Sequence, residues 1–368
     1  MLVGNKRYQT IWPDYENPGI VKVIDQTKLP FSFEIRDLRS VDDVYNAIDD
    51  MTVRGAPLIG AAAAFGMYLA ALEITGTTSP REHLSNAAGY LASCRPTAVN
   101  LSWAVKHVLS ELNNPSRKGS IPERALSIAL DICETEKENC RQLGEHGLKL
   151  IEEISRRKKG KPVNILTHCN AGWLACIDYG TATAPIYLAK EKGIDLHVWV
   201  DETRPRNQGS KLTAWELGQN GIPYTLITDN TGGHLMQHGM ADIVIVGCDR
   251  ATRRGDVANK IGTYLKALAA YDNKIPFYAV LPSTSIDFSI SDGLNEIEIE
   301  ERGSDEVKSI TGYSDGEIRT VRICPDDAEA LNFGFDVTPA RLITGLVTER
   351  GICRADEQDI KKLFPDKF

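Results

Sequence analysis

From Lys161 onward, short apolar runs alternate with helical stretches. The runs fall at 163–168, 195–200, 223–228, 242–247 and 276–281, with helical spacing between them over segments such as 180–192 and 209–220. Alternation of this kind predicts right-handed βαβ units and a mostly parallel, doubly wound sheet. Two further elements are expected to close it. NEIEIEER (295–302) has the look of an exposed strand that ends the sheet, and VTPARLITGLVT (337–348) that of a final helix with Pro339 in its first turn.

The chain before Lys161 has a different rhythm. KRYQTIW and GIVKVID, with the turn DYENPG between them, predict a small β element. SVDDVYNAIDDM opens on a serine cap with early acids and repeats Val41, Val44, Tyr45 and Ile48 at helical spacing. Further helices are expected over 58–74, 81–93 and 101–112, then one or two long ones over 122–157. The run RRKKGK reads as a solvated helix end and a boundary. The expected organisation is a mostly helical N-terminal domain with a small β element (1–158), followed by a Rossmann-like α/β domain with a mostly parallel sheet (159–368).

Composition narrows the function classes. A chain of 368 residues, 42% hydrophobic and 25% charged, is ordinary for a globular protein of about two domains. A net charge of −8 argues against nucleic acid as a partner, which would demand a basic face. The apolar stretch 56–72 is interrupted by Pro57, Gly60 and Gly66 and falls short of the roughly 20 residues that span a bilayer, so a core helix is expected and no membrane partner. The opening MLVGNKRYQTIW carries no signal-like apolar region, so a cytoplasmic location is expected. The cysteines form no C-x-x-C pair and read as reduced thiols; the histidines lack zinc-site spacing.

The chemistry concentrates where apolar runs stop. ILTHC delivers Cys169 and DIVIVGCD delivers Asp249, each at the expected carboxyl end of a buried strand, the rim where ligands sit in open α/β sheets. A turn into a helix after Cys169 would favour a thiolate through nearby N–H groups and the helix dipole. The plain alternatives are a buried structural cysteine and an ion pair between Asp249 and Arg250. Arg54-Gly55-Ala56 precedes an apolar helix, a place where backbone N–H groups and a guanidinium can meet a phosphate. Arg95 could supply a second clamp. Gln208 in RPRNQGS and Asn259-Lys260 in GDVANKIGT sit beside glycines in what read as polar loops. Together these residues suggest a phosphorylated, hydroxylated ligand. No G-x-G-x-x-G follows a strand and no G-x-x-x-x-G-K-[ST] is present, so nucleotide binding is not indicated.

RGAPLIG, RPTAVNL, THCNAG, DETRPRNQGSKLTAWEL, GDVANKIGTY, PSTSID and FDVTPA strongly resemble the methylthioribose-1-phosphate isomerase family, which is related to the α, β and δ subunits of translation initiation factor 2B. The resemblance runs from about Tyr8 to Gly351 and departs from family wording at Cys248 and Ala251, where alanine and isoleucine are usual. It implies an aldose–ketose isomerase of methionine salvage with Cys169 and Asp249 as the catalytic pair. Substrate contacts would come from Arg54, Gly55, Ala56, Arg95, Gln208, Asn259 and Lys260. It further implies a homodimer, a small phosphorylated sugar as substrate, and no metal or organic cofactor. Three rival readings remain at this point: a sister isomerase for 5-deoxyribose 1-phosphate or ribose 1,5-bisphosphate, a non-catalytic regulatory subunit, and a thiol hydrolase. The bisphosphate reading needs a second anion site, and no extra basic cluster stands out near the motifs.

Overall fold

A computed structural model describes residues 1–74, 79–95 and 99–368. The chain opens with a two-stranded ribbon, Leu2–Val3 with Lys6–Arg7. An antiparallel sheet of Ile11–Pro13, Val21–Ile24 and Ile35–Leu38 follows. Helix α1, Val41–Asp49, starts where the Ser40 hydroxyl accepts the Asp43 N–H at 3.1 Å. Helix α2, Ala56–Leu72, is buried at every position but its last, which explains why its sequence has no polar face. Around it pack α3 (Pro80–Ala92), α4 (Val99–Leu112) and α5 (Ile121–Lys158). The stretch expected as one or two helices is a single helix of 38 residues. It starts at a reciprocal Ser120–Glu123 capping box and stops at Lys159, whose φ is 50°.

The large sheet is built from β1 (Val163–Thr167), β2 (Leu196–Asp201), β3 (Tyr224–Ile227), β4 (Ile243–Val246), β5 (Phe277–Val280), β6 (Gly345–Thr348) and β7 (Gly351–Cys353). Their order across the sheet is β7-β6-β5-β4-β1-β2-β3. All neighbours are parallel except β6 and β7. The direction of strand progression reverses between β1 and β4, and a crevice opens at such a point beyond the carboxyl ends. This is the mixed α/β, Rossmann-like architecture expected from the strand–helix rhythm. A smaller sheet lies just past β4: Ile286–Asp287, Arg250–Thr252, Val257–Lys260 and Phe335–Thr338.

The closing elements differ from expectation. Segment 295–302 does not end the sheet as a strand. Asp292 caps a short helix, Gly293–Glu296, Ile297 is buried beneath the following loop, and only a single bridge joins Glu301 to Phe333. The Ile–Glu alternation belongs to a loop anchored by its acids, Glu296 on the N–H groups of Ser291 and Asp292 and Glu300 on Arg95, so its period of two is not that of a pleat. Segment 337–348 is not a helix either: it holds the end of strand Phe335–Thr338, the 3-10 turn Ala340–Leu342 and β6. Pro339 sits extended at φ −68° and ψ 146°, and Leu346 and Val347 are fully buried as an inner strand. The chain closes instead with helix Glu357–Leu363, capped by Asp356.

One apolar core draws on residues 11–133 plus Ile177, while the cores flanking the large sheet draw chiefly on residues beyond 143. No helix among the described residues is long and apolar enough to cross a membrane.

Candidate active site

β1 and β4 are neighbours at the reversal point, so the loops leaving them share one crevice. Cys169 comes just after β1 and Asp249 just after β4. Cys169 holds φ 65°, a left-handed conformation unusual for a side chain with a Cβ. Two threonines clamp it there: the Cys169 N–H donates to Thr203 Oγ1 at 2.8 Å, and Thr213 Oγ1 donates to the Cys169 carbonyl at 2.7 Å. Strain held by its surroundings is characteristic of functional positions.

The next turn is organised by Glu216, which is fully buried. Its carboxylate accepts from the backbone N–H groups of Trp173 (3.1 Å) and Leu174 (2.9 Å), from Asn170 Nδ2 (3.0 Å) and from the Tyr187 hydroxyl (2.9 Å). Gly172 lies so close that any Cβ there would collide with this carboxylate. Asn170 in turn holds Arg54: Nη1 donates to Asn170 Oδ1 at 2.5 Å and Nη2 to its carbonyl at 2.7 Å. Gly55 caps α2 at φ 96°, and a Cβ there would approach the Ala175 carbonyl oxygen to 2.5 Å. Glycine is required on both counts. The uncapped N-terminus of α2 thus faces the crevice beside a guanidinium, an arrangement suited to an anion.

All nine residues singled out in the sequence line one small cavity of about 50 Å³: Cys169 and Asp249; Arg54, Gly55 and Ala56; Arg95, Gln208, Asn259 and Lys260. Two of their settings differ from expectation. Asn259 and Lys260 stand on strand Val257–Lys260, not in a loop, and Gln208 immediately precedes a π-helical turn, Gly209–Thr213. Pairing with Phe335–Thr338 holds Lys260 against the Phe335 ring, 4.6 Å from its centroid, and Asn259 Nδ2 donates to Thr263 Oγ1 at 3.0 Å. The Gln208 amide oxygen has no partner among the described residues. Arg95 is not free: Nε and Nη2 both bond Glu300 Oε2, at 3.1 and 2.9 Å, and Arg302 takes the other oxygen. The plain alternative for Asp249 is not realised either, because Arg250 pairs with Asp287 at 2.5 Å.

Burial sets the electrostatics. It pushes the Asp249 carboxyl above the usual aspartate range, against the pull of Lys260, Arg54 and Arg95. It also pushes the Cys169 thiol up, with Arg54 and Lys260 opposing, and holds the Lys260 ammonium below the ordinary lysine value. The expectation of a helix-stabilised thiolate is therefore corrected. Only a three-residue 3-10 turn, Trp173–Ala175, follows Cys169, too short to carry a useful dipole, and desolvation dominates. His168, on the neighbouring position, points away into a buried group with Asp201 (2.9 Å) and Lys266, whose ammonium lies 3.0 Å from the same Asp201 oxygen. Asp229 completes a cluster of metal-ligand type, but Lys266 already supplies the cation there.

A second cavity of about 360 Å³ adjoins the first and shares Met51, Arg54 and Gln208 with it. Its roof comes from the hairpin Ser309–Ser314 and Glu317–Arg322 through Ser309, Thr311 and Thr320. Sequence reasoning missed Glu216, Glu300, Phe335 and Met51. Glu216 lay inside a segment already noticed for its density of polar residues. Phe335 opens the FDVTPA motif, and nothing in the local pattern marks the other two.

Residues 52–355 match the model of the Initiation factor 2 subunit family. The chain is 57% identical over 368 residues, all of both chains, to a methylthioribose-1-phosphate isomerase of Desulfatibacillum aliphaticivorans. Among solved structures it resembles the 5-methylthioribose 1-phosphate isomerase of Pyrococcus horikoshii OT3, with 37% identity, a TM-score of 0.82 and coverage of 98% of this chain and 97% of that one. It also resembles the translation initiation factor eIF-2B subunit delta from A. fulgidus, with 38% identity, a TM-score of 0.79 and coverage of 98% and 100%.

Proposed function

This chain belongs to the initiation factor 2 subunit family, and we propose that within it the protein is an aldose–ketose isomerase acting on 5-methylthioribose 1-phosphate to give 5-methylthioribulose 1-phosphate in methionine salvage. The observation that carries this reading is the meeting of the Cys169 thiol and the Asp249 carboxyl with Arg54, Arg95 and Lys260 in one small cavity. Full-length identity of 57% to an isomerase of that name supports the substrate. A regulatory subunit would not need the reactive pair.

The anomeric carbon of such a substrate is esterified, so the ring must open before hydrogen can move. Asp249, whose protonated form burial favours, gives its proton to the ring oxygen as the C1–O bond breaks. Positive charge develops at C1 beside the phosphate ester. The α2 N-terminus with Arg54, Arg95 and Lys260 hold the phosphate so that it is retained. Hydride then passes from C2 to C1, and the Asp249 carboxylate recovers the proton from the C2 hydroxyl, leaving a ketose and an unchanged enzyme. Cys169, neutral because burial raises it, fits a polarisable wall against the migrating hydrogen better than a base. Gln208 and Asn259 are placed to hold sugar hydroxyls.

Residues 1–158 and 159–368 form the two domains in this reading, with the site between them. Two copies pair through the apolar face around Leu294, Phe333 and Val337, whose cavity of about 1140 Å³ reaches Phe335 behind the site. In this reading the enzyme works in the cytoplasm, and its net charge of −8 argues against nucleic acid as a partner.

The test is turnover of 5-methylthioribose 1-phosphate, 5-deoxyribose 1-phosphate and ribose 1,5-bisphosphate side by side, the first also deuterated at C2. The methylthio compound should be the best substrate and keep its label at C1. Preference for the bisphosphate would assign the sister activity, and label lost to water would replace hydride transfer by proton abstraction.

A further inference from the structure

The second cavity is much larger than a methylthio group requires. With the phosphate at the α2 N-terminus and the reacting carbons between Cys169 and Asp249, the sugar's 5-end leaves past Met51 and Gln208 into about 360 Å³ of space. Two kinds of unanswered group line that space.

Three buried side-chain amides each carry an oxygen without a partner among the described residues: Gln26, Asn207 and Gln208, only 4%, 8% and 5% exposed. The Gln26 amide is fixed in its orientation, because its Nε2 donates to the Leu174 carbonyl at 2.7 Å. Its oxygen is therefore the free end. A buried acceptor left unpaired is destabilising, so the set asks for donors from a ligand.

Opposite charge chemistry stands beside them. Lys211 is half-buried in the same wall, and no hydrogen bond or ion pair of its ammonium is found among the described residues. Its basicity is depressed by burial and then by Arg206 and Arg204, so the local field there is positive. Arg206 is answered by Glu306 at 2.8 Å, whereas among the described residues the Arg204 guanidinium bonds only backbone carbonyls, those of Pro205, Glu306, Val307 and Ser309. An anion beside Lys211 would relieve that field. Asp305, exposed at the mouth, adds an acid on the other side.

A cavity that offers an unpaired cation together with unpaired acceptors is complementary to a group bearing both a carboxylate and an amine. We infer that this second cavity is a subsite for a zwitterionic 5-substituent, so that the protein also isomerises 5-thioribose 1-phosphates whose sulfur carries an amino-acid chain. The carboxylate lies at Lys211, and the ammonium donates to the oxygens of Gln26, Asn207 and Gln208. The inference rests on the isomerase reading and extends its substrate class beyond methyl. The basic group sought for the bisphosphate reading is thus present, but it is accompanied by acceptors that a second phosphate would not satisfy.

The test compares three substrates on one preparation: 5-methylthioribose 1-phosphate, its S-butyl analogue and its S-(3-amino-3-carboxypropyl) analogue. In the wild-type protein, kcat/KM for the amino-acid substrate should lie within about tenfold of the methyl one and at least about tenfold above the butyl one, the scale of one satisfied charged contact. Lys211→Met should lower the ratio of amino-acid to methyl turnover at least about tenfold, while Lys211→Arg restores it. An amino-acid substrate no better than the butyl one, or a Lys211→Met variant that depresses all three alike, overturns the subsite while leaving the isomerase reading intact. Absence of turnover with the methyl substrate overturns that reading, and this proposal with it. Should Lys211→Met fail to fold, the wild-type comparison of butyl with amino-acid substrate decides alone.

Discussion

At the scale of single residues, the site depends on backbone positions that side chains alone would not reveal. Cys169 at φ 65° and Met51 at φ 64° both line the catalytic cavity, and each is held in a conformation that costs energy unless the surroundings impose it. Asp249→Asn should lower kcat by about 10²–10⁴-fold, the usual worth of a proton-transfer group, and Cys169→Ala should lower it by less, both with little change in phosphate affinity measured by inhibition with inorganic phosphate. The pH dependence follows from Asp249. Its pKa is raised by burial, and the chemistry uses its protonated form. Activity should therefore persist above the ordinary aspartate range and fall as pH rises through the elevated value. In Asp249→Asn that alkaline limb should vanish from the residual rate. A limb unchanged in the variant would assign it to another group.

At the scale of elements, α5 carries a carboxyl that the reaction does not use. Glu136 is 3% exposed, and burial raises it to about 7. One oxygen accepts from Thr284 Oγ1 at 3.2 Å, and Thr284 in turn accepts from Asn100 on α4 at 3.1 Å. The second oxygen makes no well-aligned hydrogen bond among the described residues, with Asn139 exerting only a weak downward pull. A carboxyl whose folded pKa exceeds its unfolded value near 4.5 helps the fold most below that value. The help drains away as pH rises through about 7. Over that window the protein should lose on the order of 2–3 kcal/mol of stability through this group. Melting measured at pH 5 and pH 8 should show a drop that Glu136→Gln largely removes; an equal drop in the variant would place its origin elsewhere. The element scale also shows where pattern reading failed. The capped helices and buried strands were legible because their periods of 3.6 and 2 reflect one buried face each. The loop at 295–302 mimicked that alternation while Glu300 was tied to Arg95 and Arg302.

At the scale of the whole molecule, the proposed pairing of two copies makes its own prediction. Leu294, 77% exposed, stands on the face through which the pairing is proposed. Light scattering should report twice the mass of the 40.5 kDa chain, and Leu294→Asp should shift it toward the single chain. A monomeric wild type would remove the pairing.

The amino-acid sequence by itself determined the strand–helix order as far as β5, the burial of α2, and the chemical types gathered at the strand ends, because these depend on local period and on residue identity. Only the tertiary structure decided that Cys169 and Asp249 flank one strand reversal, that Arg95 is shared with Glu300, and that a roomier cavity opens beyond Met51. Those facts depend on which distant segments become neighbours. They also depend on how much water is excluded there, which sets the titration of the buried thiol and carboxyl. No local pattern encodes either.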